Sequence, residues 1–408
     1  MILINNIEDV KLSGNELKNY RRKKKVLDLL YREDMHSATE IGKRIGVSVP
    51  TSLSLLKELS QKELVEFKGT GQSNGGRRPA LFGLKDDSIF VLACELGRYT
   101  GRLGVFNSHN KLVAPVARFS ASIDDEDLIE KIAEEVNKMA GEHKIDTSRI
   151  FGIGLSMPGL IDEVNGINYT IKDKKLQNVA ERIKARFKKL VYVNNDARMQ
   201  AYGEFVFGQA KGHQNALIIN WNWGLGMGMV LDGKLYNGAT GFAGELSHTK
   251  FVEDGELCIC GKRGCLETVT SVYVLIRKAQ EAVRAGKVSQ LTEKFKGKEN
   301  EIGVEDIIKA AKRGDECSIS LLSSVGLALG KALANAIQLL NPDIIVLGGA
   351  VSEANQFVLT PIQQSINQHC LEKISGNIQI VISENWERAG LLGTTAMLYQ
   401  KLFSNMLV

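Results

Sequence analysis

The chain contains no run approaching the roughly 18 apolar residues that a membrane-spanning helix needs, and its opening, MILINNIEDV, carries two acids and no basic leader ahead of an apolar stretch. On these two absences neither a secretory signal nor a membrane partner is expected, and the expected location is the cytoplasm. Cysteine is scarce as well, with six in 408 residues. A chain of this length, 44% hydrophobic and 24% charged, buries two or three cores without help from disulfides. In a reducing compartment, clustered thiols serve as metal ligands or catalytic groups rather than as bridges. Three of the six cysteines fall inside one glycine-rich stretch, ELCICGKRGC, at residues 256–265.

Charge is unevenly spread. Residues 1–85 hold 16 Lys and Arg against 10 Asp and Glu, so the +5 of the whole chain resides in its N-terminal fifth. Such a local excess suits an anionic partner, and a solvated basic face would account for it equally well. Within that segment Ser37, with Glu40 three residues later, has the spacing of a capping box, and Ile41 and Ile45 share one face of the helix it starts. Gly46 ends that helix. Ser48 caps a second one, in which Leu53, Leu56 and Leu59 recur at three-residue spacing. Two short helices about a glycine turn suit the corner of any small helical domain. The strand-like runs LVEFKG and ALFGL that follow, separated by the polar loop TGQSNGGRRP, select a winged helix-turn-helix. Its second helix offers Thr51, Ser52, Ser54 and Lys57 to DNA, and the wing offers Arg77 and Arg78 to phosphates or a minor groove.

From about Ser88 the pattern becomes α/β. Strand-like IFVLACELG, RLGVFN and KLVAPVARFSA precede the helical DLIEKIAEEVNKMAG and the buried strand of IFGIGLSMPGLID. A comparable series recurs from Ala216, ending in the strands DIIVLGG and IQIVIS. Two α/β halves with glycine-rich turns imply a ligand cleft.

The motifs MPGLID, VNNDA, NGATGFAGELSH, CICGKRGCLE and IIVLGGA, in this order, resemble the ROK family of repressors and sugar kinases, and with the winged helix and GGRRP almost the whole chain resembles its repressor branch. The resemblance implies a two-lobed actin-like, ribonuclease-H-like α/β fold behind a winged helix-turn-helix: residues 1–85 for DNA, 86–200 for the first lobe, and 201–408 for the second, with the C-terminal helix free to pack back on the first. It also implies sugar contacts from Gly159, Asn195, Asp196, Glu245, His248 and Glu267. Carboxylates suit hydroxyls because each accepts hydrogen bonds in fixed directions. Taken alone, Asn195-Asp196 would equally suit an Asx turn at a strand end. Ser247 stands where the family motif has glycine.

Against that background the cysteine stretch reads as His248, Cys258, Cys260 and Cys265. One imidazole and three thiolates form a tetrahedral set for a structural zinc ion, with no position open for an activated water.

Two functions compete. Kinases of the family carry an acidic-x-Gly-Gly-Thr loop that lets backbone N–H groups approach ATP, and Asp196 would be their general base. This chain has Arg98 and Tyr99 in that loop and Trp223 in the second phosphate loop, in place of small residues. The expected function is therefore a sugar-responsive repressor, released from operator DNA by a sugar or sugar phosphate and assembled as a homodimer or homotetramer. The alternative is an ATP-dependent, glucokinase-like sugar kinase with an appended DNA-binding domain.

Overall fold

The computed structural model describes residues 14–72 and 78–403, so Arg77 lies outside the described residues. The N-terminal region runs α1 (Gly14–Glu33), β1 (Met35–Ser37), α2 (Ala38–Ile45), α3 (Val49–Gln61), β2 (Val65–Thr70) and β3 (Ala80–Leu84), with the strands ordered β1-β3-β2. The capping box forms: Ser37 Oγ accepts from the Glu40 N–H, and the Glu40 carboxylate accepts from the Ser37 N–H at 2.8 Å. Gly46 closes α2 at φ 72°, and Ser48 Oγ accepts from the Thr51 N–H to start α3. The three-residue strand β1, which pairs with β3, leaves no separate trace in the sequence pattern.

Two expectations for α3 are corrected. Ser52 is fully buried, not presented to DNA, and Leu53 is 50% exposed, not in the core. The inward row of a 3.6-residue helix here is Ser52, Leu55, Leu56 and Leu59, which a three-residue count slides off by 60° per step. Ser52 faces Gly42 of α2 so closely that a Cβ on that glycine would stand 2.9 Å from Ser52 Oγ. The tight helix–helix contact selects a small residue at position 52, which leaves its hydroxyl no route to a groove.

The rest of the chain builds two mixed sheets. The first comprises β4 (Phe90–Leu96), β5 (Thr100–Asn107), β6 (Ala117–Ser120), β7 (Ile150–Met157) and β10 (Leu190–Asn195), in the order β10-β7-β4-β5-β6. It is packed by α4 (Leu128–His143) and α5 (Val179–Phe187), with the small hairpin β8 (Ile161–Asp162) and β9 (Ile167–Asn168) between them in sequence. After α6 (Asp196–Phe207), the second sheet runs β13-β12-β11-β14-β15, from β11 (Ala216–Trp221), β12 (Leu225–Leu231), β13 (Lys234–Leu235), β14 (Ile344–Gly348) and β15 (Gln379–Ile382). In both sheets the first strand pairs antiparallel with the second and parallel with the fourth, so one ribonuclease-H-like topology occurs twice.

Helices α7 (Glu267–Thr270), α8 (Val272–Arg284), α9 (Gln290–Phe295) and α10 (Val304–Lys312) precede α11 (Glu316–Leu340), while α12 (Gln356–His369), α13 (Glu372–Ser375) and α14 (Trp386–Phe403) complete the chain. Among the described residues α11 is the one helix long and apolar enough to cross a membrane, contrary to the expectation that no run comes close. Leu322, Val325, Leu329, Leu333 and Ile337 make it a core helix, packed on α12 where Gly326 and Gly330 meet the Val358 and Ile362 carbonyls.

The described residues of Met1–Asn194 and Thr394–Val408 form one compact unit, and Asn195–Gly393 forms another. Within the first, Tyr31 of α1 packs on Tyr399 and Phe403 of α14, with ring centroids 4.9 and 5.7 Å away, and its hydroxyl donates to Asn110 Oδ1. The Tyr399 hydroxyl in turn donates to the Ile89 and Phe106 carbonyls.

Candidate functional site

In the second unit, the segment after β13 folds back so that one ligand atom each from His248, Cys258, Cys260 and Cys265 lies within 4.8 Å of every other. His248 ends a short 3-10 turn at Leu246–His248, and the cysteines follow on a hairpin-like loop whose Leu257 bridges Arg263. Gly264 makes the loop possible: at φ 76° any Cβ would run into the Val252 carbonyl. Cys260 Sγ and Cys265 Sγ are 3.6 Å apart and unbridged, and Cys258 Sγ lies 3.6 Å from His248 Nδ1. A zinc tetrahedron with bonds of about 2.0–2.3 Å has edges of roughly 3.3–3.8 Å; the Cys260–Cys265 and Cys258–His248 distances fall in that range, and a spread of up to 4.8 Å within the set leaves about 1 Å to close around an ion.

The chemistry of the donors fits as well. Burial pushes the Cys258 thiol up to about 12 and raises Cys265 too. Cys260 is lowered: burial works against ionisation there, and the Lys262 N–H with the neighbouring thiols outweighs it. Without a cation Cys258 and Cys265 therefore stay as thiols, and holding all three as thiolates side by side takes a cation at their centre.

The same imidazole faces two carboxylates. His248 Nε2 is 3.9 Å from Glu245 Oε2, and His248 Nδ1 is 4.0 Å from Glu267 Oε2. Glu267 opens α7, two residues past Cys265, and its carboxylate accepts from the Cys258 thiol at 3.5 Å. Burial pushes the Glu245 carboxyl above its ordinary range, while the charges of His248 and Arg198 draw it partly back. Across the loop, Arg277 of α8 holds Glu256 through two bonds of 2.6 and 2.7 Å, bracing the cysteine loop against the helix.

Asn195 and Asp196 stand where β10 becomes α6. Asn195 caps α6, its Oδ1 accepting from the Arg198 N–H at 3.2 Å, and Asp196 is the first helical residue. Arg198, 1% exposed, is the residue that sequence reasoning missed; an arginine two residues after VNND carries no signal of its own that it will be buried or lie near Glu245. The structure thus brings Glu245, His248, Glu267 and the three cysteines together and sets Asn195 and Asp196 in the same unit. Gly159 belongs to the other unit, at φ 118°, in a loop where a Cβ would meet Asn168 Oδ1 and Thr170 Oγ1.

The two turns expected at the phosphate-loop positions both hold bulky groups. Arg98 and Tyr99 cap the β4–β5 turn, with Tyr99 60% exposed and its hydroxyl accepting from Arg98 Nε at 3.0 Å. Trp223 caps the β11–β12 turn, its ring 5.7 Å from that of Tyr273. Next to it, Gly224 lies against Glu267: a Cβ there would be 2.6 Å from Oε1.

On the winged helix, Ser54 and Lys57 are exposed and Thr51 is half-buried, its hydroxyl 2.8 Å from Ser48 Oγ. Arg78 is exposed at the foot of the wing. A groove of about 650 Å³ beside the α2–α3 turn is lined by Lys18, Arg21, Arg22 and Lys25 of α1 with Ile45, Gly46 and Val47. The sequence shows a basic excess over residues 1–85, and that these four side chains share one groove beside the turn is set by tertiary packing.

A model of the ROK family matches residues 91–401. The xylose repressor of Caldicellulosiruptor bescii is 29% identical over 384 residues, covering 93% of this chain and 95% of that protein. The glucokinase of Halalkalibacterium halodurans is 35% identical over 268 residues, covering 64% of this chain and 80% of that protein. The solved structure of a ROK family transcriptional regulator, a homologue of the Escherichia coli Mlc protein, superposes with a TM-score of 0.79 at 25% identity, covering 94% of this chain and 97% of that one.

Proposed function

Because the chain belongs to the ROK family, we propose that it is a sugar-responsive transcriptional repressor that leaves its operator when a sugar or sugar phosphate binds. The observation that carries the reading is the presence in one chain of a winged helix flanked by a basic groove and of a carboxylate–imidazole cluster built on a cysteine loop. Glu245, Glu267 and Asp196 accept from sugar hydroxyls, and His248 and Asn195 add polar contacts. A zinc ion on His248, Cys258, Cys260 and Cys265 would supply no reaction; it would fix the loop that carries Glu267. The chain works in the cytoplasm as a homodimer or homotetramer, since two winged helices are needed to read a two-fold operator. A thermal-shift screen over hexoses, N-acetylated amino sugars, xylose and sugar phosphates tests the reading. A sugar that binds only the folded chain raises its melting temperature, and a panel without any shift would contradict a sugar sensor.

Asp196 and the glucokinase relative favour a second reading, a sugar kinase. Arg98, Tyr99 and Trp223 oppose it by filling positions where nucleotide phosphates require bare backbone. Purified protein is expected to show no sugar phosphorylation with ATP. Turnover that vanishes in Asp196→Asn would establish the enzyme instead.

The basic groove makes a further prediction. Lys18, Arg21, Arg22 and Lys25 have no ion pair with a described carboxylate and lie beside the turn that enters α3. Arg21→Ala, Arg22→Ala and Lys25→Ala combined are expected to lower the slope of log affinity against log salt by about 0.9 for each phosphate left without its cation. Sugar binding stays as in wild type, and an unchanged slope would place the groove away from DNA.

A further inference from the structure

We propose that the outward face of α3 reads the C5-methyl groups of thymine in the major groove, with Leu53 as the side chain that sets specificity. The inference rests on the DNA-binding reading above and extends it to the chemistry of base recognition. Val49 is 39% exposed and Leu53 50% exposed, and they stand one helical turn apart on the same face of α3. Leaving both outside costs the core nothing, because Ser52, Leu55, Leu56 and Leu59 already fill the inward row.

The rest of that face is poor in base readers. Its other exposed members are Pro50, Ser54, Lys57 and Ser60, the Thr51 hydroxyl is engaged by Ser48, and the only amide side chain, Gln61, stands with Ser60 at the far end of the helix. Guanine is read by the fork of arginine or by lysine, and adenine by the paired groups of asparagine or glutamine. The first two turns of α3 offer none of these. The base-edge feature left for Val49 and Leu53 is the thymine methyl, the one apolar group in the major groove.

The surroundings identify the occupant. Lys18, Arg21, Arg22 and Lys25 line the groove beside the α2–α3 turn, Lys43 and Lys57 are exposed on α2 and α3, and Arg78 is exposed at the wing. A narrow apolar strip ringed by cations matches methyl groups between two phosphate backbones. An apolar protein face would leave those cations facing it unmatched. Two side chains also fall far short of the roughly 800 Å² per partner that a stable protein interface buries.

The test uses the full-length protein and a duplex on the order of 30 base pairs that it enriches from a random pool, about three helical turns. Each thymine of the enriched site is replaced in turn by deoxyuridine, which removes only the methyl group. At one or two positions per half-site the wild type is expected to bind about three- to fourfold more weakly, the factor for withdrawing one methyl-sized group from apolar contact. Leu53→Ala is expected to bind thymine and uracil duplexes alike at those positions, with the sugar-induced thermal shift unaltered. A wild type indifferent to every methyl, or a Leu53→Ala protein that keeps the full preference, would overturn the inference. So would a Leu53→Ala protein whose oligomeric state changes while methyl discrimination persists, since the strip would then pair with a second copy. Enrichment of no sequence at all would remove the DNA-binding reading itself, whereas an enriched duplex blind to its methyls removes the thymine inference alone.

Discussion

Purified protein is expected to contain about one zinc ion per chain, and Cys260→Ser to contain almost none. One imidazole and three thiols whose donor atoms lie within 4.8 Å of one another are the ligand set of a closed tetrahedral site, and such sites bind zinc with apparent free energies of about 10–16 kcal/mol in small zinc-finger peptides. Removal of one thiolate takes away a quarter of the ligands and leaves Cys258 and Cys265 buried with thiols that burial keeps protonated. The loop then relies on backbone hydrogen bonds and the Arg277–Glu256 pair. Because Glu267 follows Cys265 by two residues and His248 faces Glu245, sugar binding is expected to fall with the metal. Acidification acts in the same direction, since the ligands must be deprotonated to bind. Metal analysis together with the sugar-induced thermal shift checks both points. A metal-free Cys260→Ser protein with wild-type sugar binding would remove the link between the two.

Glu267→Gln is expected to weaken sugar binding by about 10- to 150-fold, the equivalent of a hydrogen bond to a charged group worth roughly 1.5–3 kcal/mol. The amide keeps the size and one acceptor oxygen but gives up the charge. Glu267 is a more sensitive position than Glu245 because its carboxylate also touches the Gly224 turn and the Cys258 thiol, so that it joins three segments of the second unit. Zinc content separates the two ways the variant could act: full occupancy with weak sugar binding is expected, and absent zinc would trace the effect to the loop instead. Operator binding without sugar is expected to match wild type. Helix α14 crosses the boundary of the two units, its first half packing in the second with Gly393 against the Met199 carbonyl of α6. Its last half packs in the first unit, with Tyr399 and Phe403 against Tyr31 of α1.

Local signals carried far in this sequence. Ser37 with Glu40, Gly46 and Ser48 marked the helix-turn-helix because caps are made by neighbours within three or four residues. The spacing of His248, Cys258, Cys260 and Cys265 marked the metal set for the same reason, with His248 only ten residues from the first thiol. What stayed hidden depends on partners far along the chain. Ser52 is buried because α2 brings Gly42 against it, and Leu53 is exposed as a consequence. The burial of Arg198 and the placing of Lys18, Arg21, Arg22 and Lys25 beside a turn more than twenty residues away are likewise products of packing. The apolar length of α11 went unremarked because Lys331 and its small residues break the run, although the helix as a whole is apolar enough to span a membrane.

The central claim is that one chain couples a sugar to an operator, and the direct measurement is operator affinity with and without a saturating sugar that shifts the melting temperature. The coupling is expected to weaken operator binding by about 5- to 150-fold, and operator DNA must then weaken sugar binding by the same factor. Reciprocal titrations that agree on one factor within that range are the result predicted. An operator affinity that ignores a sugar shown to occupy the protein would contradict it.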